Sequence, residues 1–219
     1  DDVLDTWFSS ALWPFAALGW PEKTKDLKTF YPTNVLSTAR DLINLWVARM
    51  IFSGTEFMKK APFQSVYVHA TVLIKEGKRM SKSLGTGVDP IGLIDRYGAD
   101  ATRFGIAYQI TGGQDLKFIE DNIVMGRKFC NKLWNASRFV LMQTTDLPIS
   151  EIHSNLRGFR KSLIVKKLHE TIKSVNKNLD NFEFGQAAHT LYDFFWHDFC
   201  DVYIEEAKKQ NDDESKKIL

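Results

Sequence analysis

Cysteine is scarce in this sequence, which holds only Cys130 and Cys200 among its 219 residues. Two thiols cannot build a disulfide framework, and neither they nor the five histidines (His69, His153, His169, His189 and His197) show metal-ligand spacing, so no metal or zinc site is expected. The scarcity fits a reducing, cytoplasmic setting. Long apolar runs are missing too. No stretch approaches the ~18 residues of a membrane span, which leaves no membrane partner to expect. Net charge is almost absent, +2 from 29 basic and 27 acidic residues. That excludes a uniformly basic nucleic-acid binder but not one whose positive charge is clustered. Internal repeats and low-complexity tracts are absent apart from a charged tail over 205–217. An initiating methionine is also lacking: the chain starts Asp1-Asp2-Val3 and ends Lys217-Ile218-Leu219, and it reads as an internal piece of a longer protein.

What is present divides into two styles. The first 35 residues interleave tryptophan and proline (Trp7, Trp13-Pro14, Trp20-Pro21, Tyr31-Pro32), a pattern that predicts no long helix there. Residues 34–37 read as a short buried strand. From Asp41, the apolar positions Leu42, Leu45, Trp46 and Met50 recur at helical spacing, with Gly54 where a C-cap glycine belongs. Alternation over 65–73 predicts a second strand. Asp89-Pro90 predicts a helix start, because the carboxylate caps free amides and proline suits the first turn. Gly98 ends that helix, and Asp100 starts another through Tyr108. From Glu120 the pattern is wholly helical. Three apolar stripes follow: Ile123, Cys130, Leu133-Trp134, Ser137 and Val140-Leu141; then Ile164, Leu168, Ile172, Val175 and Leu179; then Phe184, Ala188, Leu191-Tyr192, Phe195 and Phe199. Trp134 and the Phe194–Phe199 stripe are expected in the core. The fold class is therefore α/β, then all-α. Strand, helix, strand in that order predicts a parallel, doubly wound sheet that binds ligands beyond the C-terminal ends of its strands.

A basic loop from Lys75 to Gly87 follows the second strand. It holds four positive residues and one negative within 75–82, with Gly77, Gly85 and Gly87 around them. Such a loop can cradle phosphate through ammonium and hydroxyl donors; by composition alone it is equally a solvated surface loop.

The order of its residues is more informative. Arg79-Met80-Ser81-Lys82-Ser83 resembles the Lys-Met-Ser-Lys-Ser signature of class I aminoacyl-tRNA synthetases, with arginine first. Asp2-Val3-Leu4-Asp5-Thr6-Trp7-Phe8-Ser9-Ser10 resembles the segment by which that family's chain returns to its catalytic domain after the editing insertion. Leu45-Trp46-Val47-Ala48-Arg49-Met50, Gly98-Ala99-Asp100-Ala101 and Asn131-Lys132-Leu133-Trp134-Asn135-Ala136-Ser137-Arg138-Phe139 are similar to its valine-specific members. Phe194-Phe195-Trp196-His197-Asp198-Phe199-Cys200-Asp201 resembles the family's helical anticodon-binding domain.

The resemblance implies the C-terminal part of a Rossmann-type catalytic domain over 1–118, and the start of a helical-bundle anticodon-binding domain over 119–219. It implies ATP-dependent activation of valine to an adenylate and transfer to a valine-accepting tRNA by a monomeric, cytoplasmic parent. ATP is then a substrate, accompanied by Mg²⁺. Isoleucine- or leucine-specific enzymes, and a non-catalytic tRNA-binding derivative, are the alternatives. Lys82 is implied as the catalytic cation that neutralises the departing pyrophosphate; Arg79, Met80, Ser81 and Ser83 shape the loop around ATP. Trp7 and Trp46, with Leu42, are implied as the amino-acid pocket, though tryptophans at such spacing equally serve core packing. Asp41 is a candidate for the ATP ribose or for a helix N-cap, and His69 for the nucleotide or for the core. Lys128, Lys132 and Arg138 are candidate tRNA phosphate contacts or parts of a solvated helix face. Ala39, Ala70 and Thr86-Gly87 depart from the Gly, Gly and Asn-Val common in the family. The family's first ATP motif, His-x-Gly-His, is absent from these residues, so the isolated polypeptide is expected not to activate valine.

Overall fold

A computed structural model describes residues 2–81, 84–145, 162–210 and 218. They form two compact units, Asp1–Thr71 and Val72–Leu219. Among the described residues, no helix is long and apolar enough to cross a membrane.

In the first unit, helix α1 (Thr6–Ala16) starts where Asp5 accepts a hydrogen bond from the Trp7 amide. It runs through Pro14, contrary to the expectation that the prolines would break up this region. Proline costs a helix one hydrogen bond, and burial of Ala11, Pro14 and Phe15 compensates for it. A short helix α2 (Lys25–Phe30) leads into strand β1 (Thr33–Thr38). The chain then makes a π-helical segment, Ile43–Val47, continuous with helix α3 (Ala48–Met58). Two details of the expected helix are thereby corrected. Its first turns are wider than α-helical, and Gly54 lies inside it, buried, instead of ending it. The left-handed cap is Lys59, at φ 54°. Gly54 is there for space: a β-carbon on it would stand 2.9 Å from the Tyr31 hydroxyl oxygen.

Strand β2 (Phe63–Val68) pairs in parallel with β1, Thr33 opposite Phe63 and Thr38 opposite Val68. The parallel strand–helix–strand unit is the one the sequence predicts, but β1 is not the buried strand expected: Val35 is exposed and Thr38 alone of the strand is buried, because among the described residues β1 pairs with β2 only. Phe15 and Met50 are fully buried, and Val47 and Phe63 join Met50 in one cluster. Phe15 also meets Trp20 and Tyr31 edge to face, with ring centroids 5.3 and 6.0 Å apart.

In the second unit, the single strand expected over 65–73 proves to be two, because β3 (Val72–Leu73) is separate from β2 and pairs in parallel with β4 (Leu116–Lys117). Between them stand α4 (Pro90–Tyr97), capped by Asp89 onto the Ile91 and Gly92 amides, and α5 (Ala99–Tyr108). Gly98, at φ 93°, joins the two helices.

Helix α6 (Glu120–Thr144) buries Ile123, Gly126, Phe129 and Ala136. The stripe read from hydrophobicity was rotated: Leu133, Trp134 and Leu141 are exposed, and Trp134, expected in the core, keeps 68% of its surface. The reason is Gly126, which lets α5 approach so closely that the glycine face turns inward. Helix α7 (Leu163–Asp180) buries Ile164, Val175 and Asn178 and leaves Leu168, Ile172 and Leu179 partly exposed. Helix α8 (Phe184–Asp193) continues into a second π-helical segment, Phe194–Ile204, and then α9 (Glu205–Gln210). Here the expected core holds. Phe195 and Phe199 pack with Phe139 against Ala136, Cys200 and Ile204.

Candidate functional site

Each unit carries part of the predicted machinery. In the first, the parallel pairing sends β1 and β2 out at the same edge of the sheet. Past β1 the chain reaches Asp41, exposed in the turn before the π-helical segment; past β2 it reaches His69. The His69 amide donates to the Thr38 carbonyl oxygen at 3.0 Å, which ties the two strand ends together. His69 Nδ1 lies 3.0 Å from the Ala70 carbonyl oxygen, and the residue is exposed, so it is not a core histidine. Both residues thus stand at the edge where open α/β sheets receive ligands.

Trp7 lies on α1 and Trp46 on the π-helical segment of the same unit. Both are partly buried. The Arg49 guanidinium lies 5.3 Å from the centroid of the Trp7 ring. Trp46 packs on the Val47–Met50–Phe63 cluster, and its indole Nε1 donates to the Ser10 carbonyl oxygen at 3.0 Å. Core packing is therefore one property of Trp46, and its partial burial leaves some of the side chain accessible. Leu42 is partly buried at the start of the π-helical segment.

The second unit carries the signature loop. Gly77, at φ 79°, turns the chain so that its amide meets the Ile74 carbonyl oxygen at 2.8 Å, and the Ile74 amide meets that of Lys78 at 2.9 Å. Arg79 then bridges back to Leu73 in antiparallel fashion. The ends of 81–86 are held twice: the Ser81 amide donates to Thr86 Oγ1 at 3.0 Å, and the Thr86 amide donates to the Ser81 carbonyl oxygen at 3.1 Å. Arg79 is exposed, while Met80 and Ser81 are partly buried. Met80 lines a pocket of about 530 Å³ with Ile74, Lys75, Val88, Lys117 and Glu120. Lys82 and Ser83 lie outside the described residues.

The three tRNA candidates on α6 differ. Lys128 and Arg138 are exposed. Lys132 is engaged within the unit: its Nζ is 2.7 Å from Asp201 Oδ1 and 4.5 Å from the centroid of the Trp196 ring. The Lys132 hydrogen bond holds the Asp201 carboxyl below its ordinary range, against a smaller opposing effect of burial. Among the described residues, no group of three or more His, Cys, Asp or Glu side chains is placed to hold a metal ion.

The sequence alone assigns no site role to Ser10, Pro14 or Arg49, and marks Thr86 only as a departure from the family pattern. One signal was available. Pro14 stands four residues after Ser10, so the Ser10 carbonyl has no helical amide to receive.

Residues 1–119 match the family described as tRNA synthetases class I (I, L, M and V), more than half of the chain. The chain belongs to this family. Residues 161–219 match the anticodon-binding domain of tRNA ligase. Over 95% of its length the chain is 51% identical to a valine–tRNA ligase of Clostridium tetani, covering 24% of that protein. It is 50% identical to that of Aquifex aeolicus over 99% of its length, covering 19% of the relative, and 49% identical to that of Thermotoga maritima over its whole length, covering 25%. The chain thus spans a quarter or less of the curated relatives it matches.

Solved structures agree on the fold. An Agrobacterium radiobacter K84 LeuRS, in a ternary complex with tRNA and LeuAMS, superposes with a TM-score of 0.78 at 16% identity, over 99% of this chain and 28% of that one. A Mycobacterium tuberculosis methionyl-tRNA synthetase bound to methionyl-adenylate gives 0.71 at 17% identity, over 97% of this chain and 42% of that one.

Proposed function

We propose that the parent of this chain activates valine with ATP and attaches it to a valine-accepting tRNA. The observation that carries this reading is the identity of about half with valine–tRNA ligases along nearly the whole chain. The side chains give it physical content. Activation sets the valine carboxylate against the α-phosphate, and pyrophosphate leaves with growing negative charge. Lys82 neutralises that charge, and loss of such a donor costs about 10²–10³-fold in rate. Arg79, Met80, Ser81 and Ser83 shape the loop around ATP, and Mg²⁺ accompanying ATP would share in neutralising the phosphate charge. Asp41 receives the ribose hydroxyls, and His69 stands beside the nucleotide.

Trp7, Trp46 and Leu42 line the amino-acid pocket. An apolar wall of this kind rejects an added methylene through lack of room, but has little purchase against an isostere such as threonine. Residues 1–118 form the C-terminal part of the catalytic domain, and 119–219 begin the anticodon-binding domain. There Lys128 and Arg138 contact tRNA phosphates; Lys132 reaches them only by releasing Asp201. The parent works as a cytoplasmic monomer.

Pyrophosphate exchange by the full-length parent across valine, isoleucine, leucine and threonine tests this reading. Valine is expected to be the preferred substrate, with Lys82→Ala reducing the rate by about 10²–10³-fold and Trp46→Ala raising the KM for valine. Preference for isoleucine or leucine overturns the assignment, and full activity in Lys82→Ala overturns the role of the loop.

A further inference from the structure

Pro14 lies inside α1 with its ring buried, and no step of the proposed function uses it. Its effect falls four residues earlier. In an α-helix, each carbonyl receives the amide four residues on. Proline has no N–H, and its ring pushes the preceding turn's carbonyl outward. Ser10 is the residue so affected. Its carbonyl oxygen receives the indole N–H of Trp46 instead, at 3.0 Å, across 36 residues of sequence.

A partly buried indole N–H needs an acceptor; an interior helix carbonyl shares its oxygen with the amide four residues on, whereas the Ser10 carbonyl has no such amide and can turn its oxygen fully toward Trp46. Trp7, Ser10, Ala11 and Pro14 stand at i, i+3, i+4 and i+7, so they share one face of α1. That face carries one pocket tryptophan and the anchor of the other.

We propose that Pro14 is a positioning residue for the amino-acid pocket: it frees the Ser10 carbonyl to bind Trp46 Nε1 and thereby sets the plane of the Trp46 ring. The inference rests on the assignment of Trp46 to the pocket. It gives a proline inside a helix a role in specificity, since a wall that separates valine from isoleucine must hold its position to a fraction of an ångström.

The test is amino-acid-dependent pyrophosphate exchange by the full-length parent. In Pro14→Ala, the restored amide competes for Ser10. The KM for valine is expected to rise about three- to ten-fold, the worth of one net hydrogen bond. The kcat and the KM for ATP stay unchanged, and the preference for valine over isoleucine falls. Benzothienylalanine in place of Trp46 keeps the ring and lacks the N–H. It is expected to produce the same rise, and adding Pro14→Ala to it produces no more. This second variant decides the question even if Pro14→Ala folds poorly. An unchanged valine KM in the benzothienylalanine enzyme overturns the inference, as do effects of the two changes that multiply. Failure of the underlying reading looks different, because then Trp46→Ala itself leaves the valine KM unchanged.

Discussion

A β-carbon on Gly126 would stand 2.6 Å from the carbonyl oxygen of Ala101. Gly105 makes the reciprocal approach, its β-carbon position 2.6 Å from the Asn122 carbonyl oxygen. Helices α5 and α6 therefore pack backbone to backbone, and neither can yield by rotating a side chain. Gly126→Ala is expected to destabilise the chain by about 1–3 kcal/mol through overpacking. Gly92→Ala serves as the contrast, because its β-carbon would meet only Asp89 Oδ2, at 3.7 Å. That change is expected to be neutral or to stabilise by about 0.4–1 kcal/mol. Urea unfolding midpoints of the two variants check both values, and equal midpoints would contradict the packing account.

The ion pair between Lys132 and Asp201 joins α6 to the second π-helical segment, with His197 Nδ1 3.4 Å from Asp201 Oδ2. A carboxyl held below its ordinary value favours the folded state fully above about pH 3.9, its unfolded value, and loses that contribution as pH falls through the folded value. The Asp201 side chain is 44% exposed, so solvent screening limits the effect to about 1 kcal/mol or less. Asp201→Asn is therefore expected to lower the melting temperature slightly at pH 7. Below about pH 4 the gap to the parent sequence closes. Thermal melts across pH 2–7 measure it; a constant gap would mean that the carboxylate charge is not what matters.

Burial pushes both thiols above their ordinary range, Cys200 from within the core and Cys130 with added repulsion from Asp100. Thiolate is the reactive form, so both cysteines are expected to alkylate slowly with iodoacetamide at pH 8 in the folded chain, and quickly in guanidinium. Peptide mass spectrometry separates the two sites. Labelling of Cys200 at the rate of a free thiol would show that the Ala136–Cys200–Ile204 cluster opens readily.

Thr86 holds the ends of the 81–86 segment through both its hydroxyl and its amide. Thr86→Val removes the hydroxyl contact alone. In the full-length parent, the KM for ATP is expected to rise about three- to ten-fold, one hydrogen bond's worth, with the KM for valine unchanged. Thr86→Ser keeps the hydroxyl and is expected to restore ATP binding. Equal KM values in all three proteins would assign the threonine to local packing only.

The sequence by itself determined what depends on neighbours along the chain. Asp89-Pro90 and Gly98 bound α4 because capping and left-handed turns involve atoms only a few residues apart. A short apolar run marked β1, alternation marked β2, and the order Arg79-Met80-Ser81-Lys82-Ser83 marked the loop that resembles the family's signature. Tertiary structure decided what depends on close approach between distant segments. Hydrophobicity gives glycine little weight, so Gly54 resembled a helix end, and the Gly126 face of α6 lost out to the exposed Trp134. Lys132 resembled a free phosphate contact because its partner Asp201 lies 69 residues away. Likewise, Pro14 resembled a helix breaker. Only the folded unit brings Trp46 to the carbonyl that Pro14 leaves open, because a hydrogen bond between distant residues exists only once packing has set both groups in place.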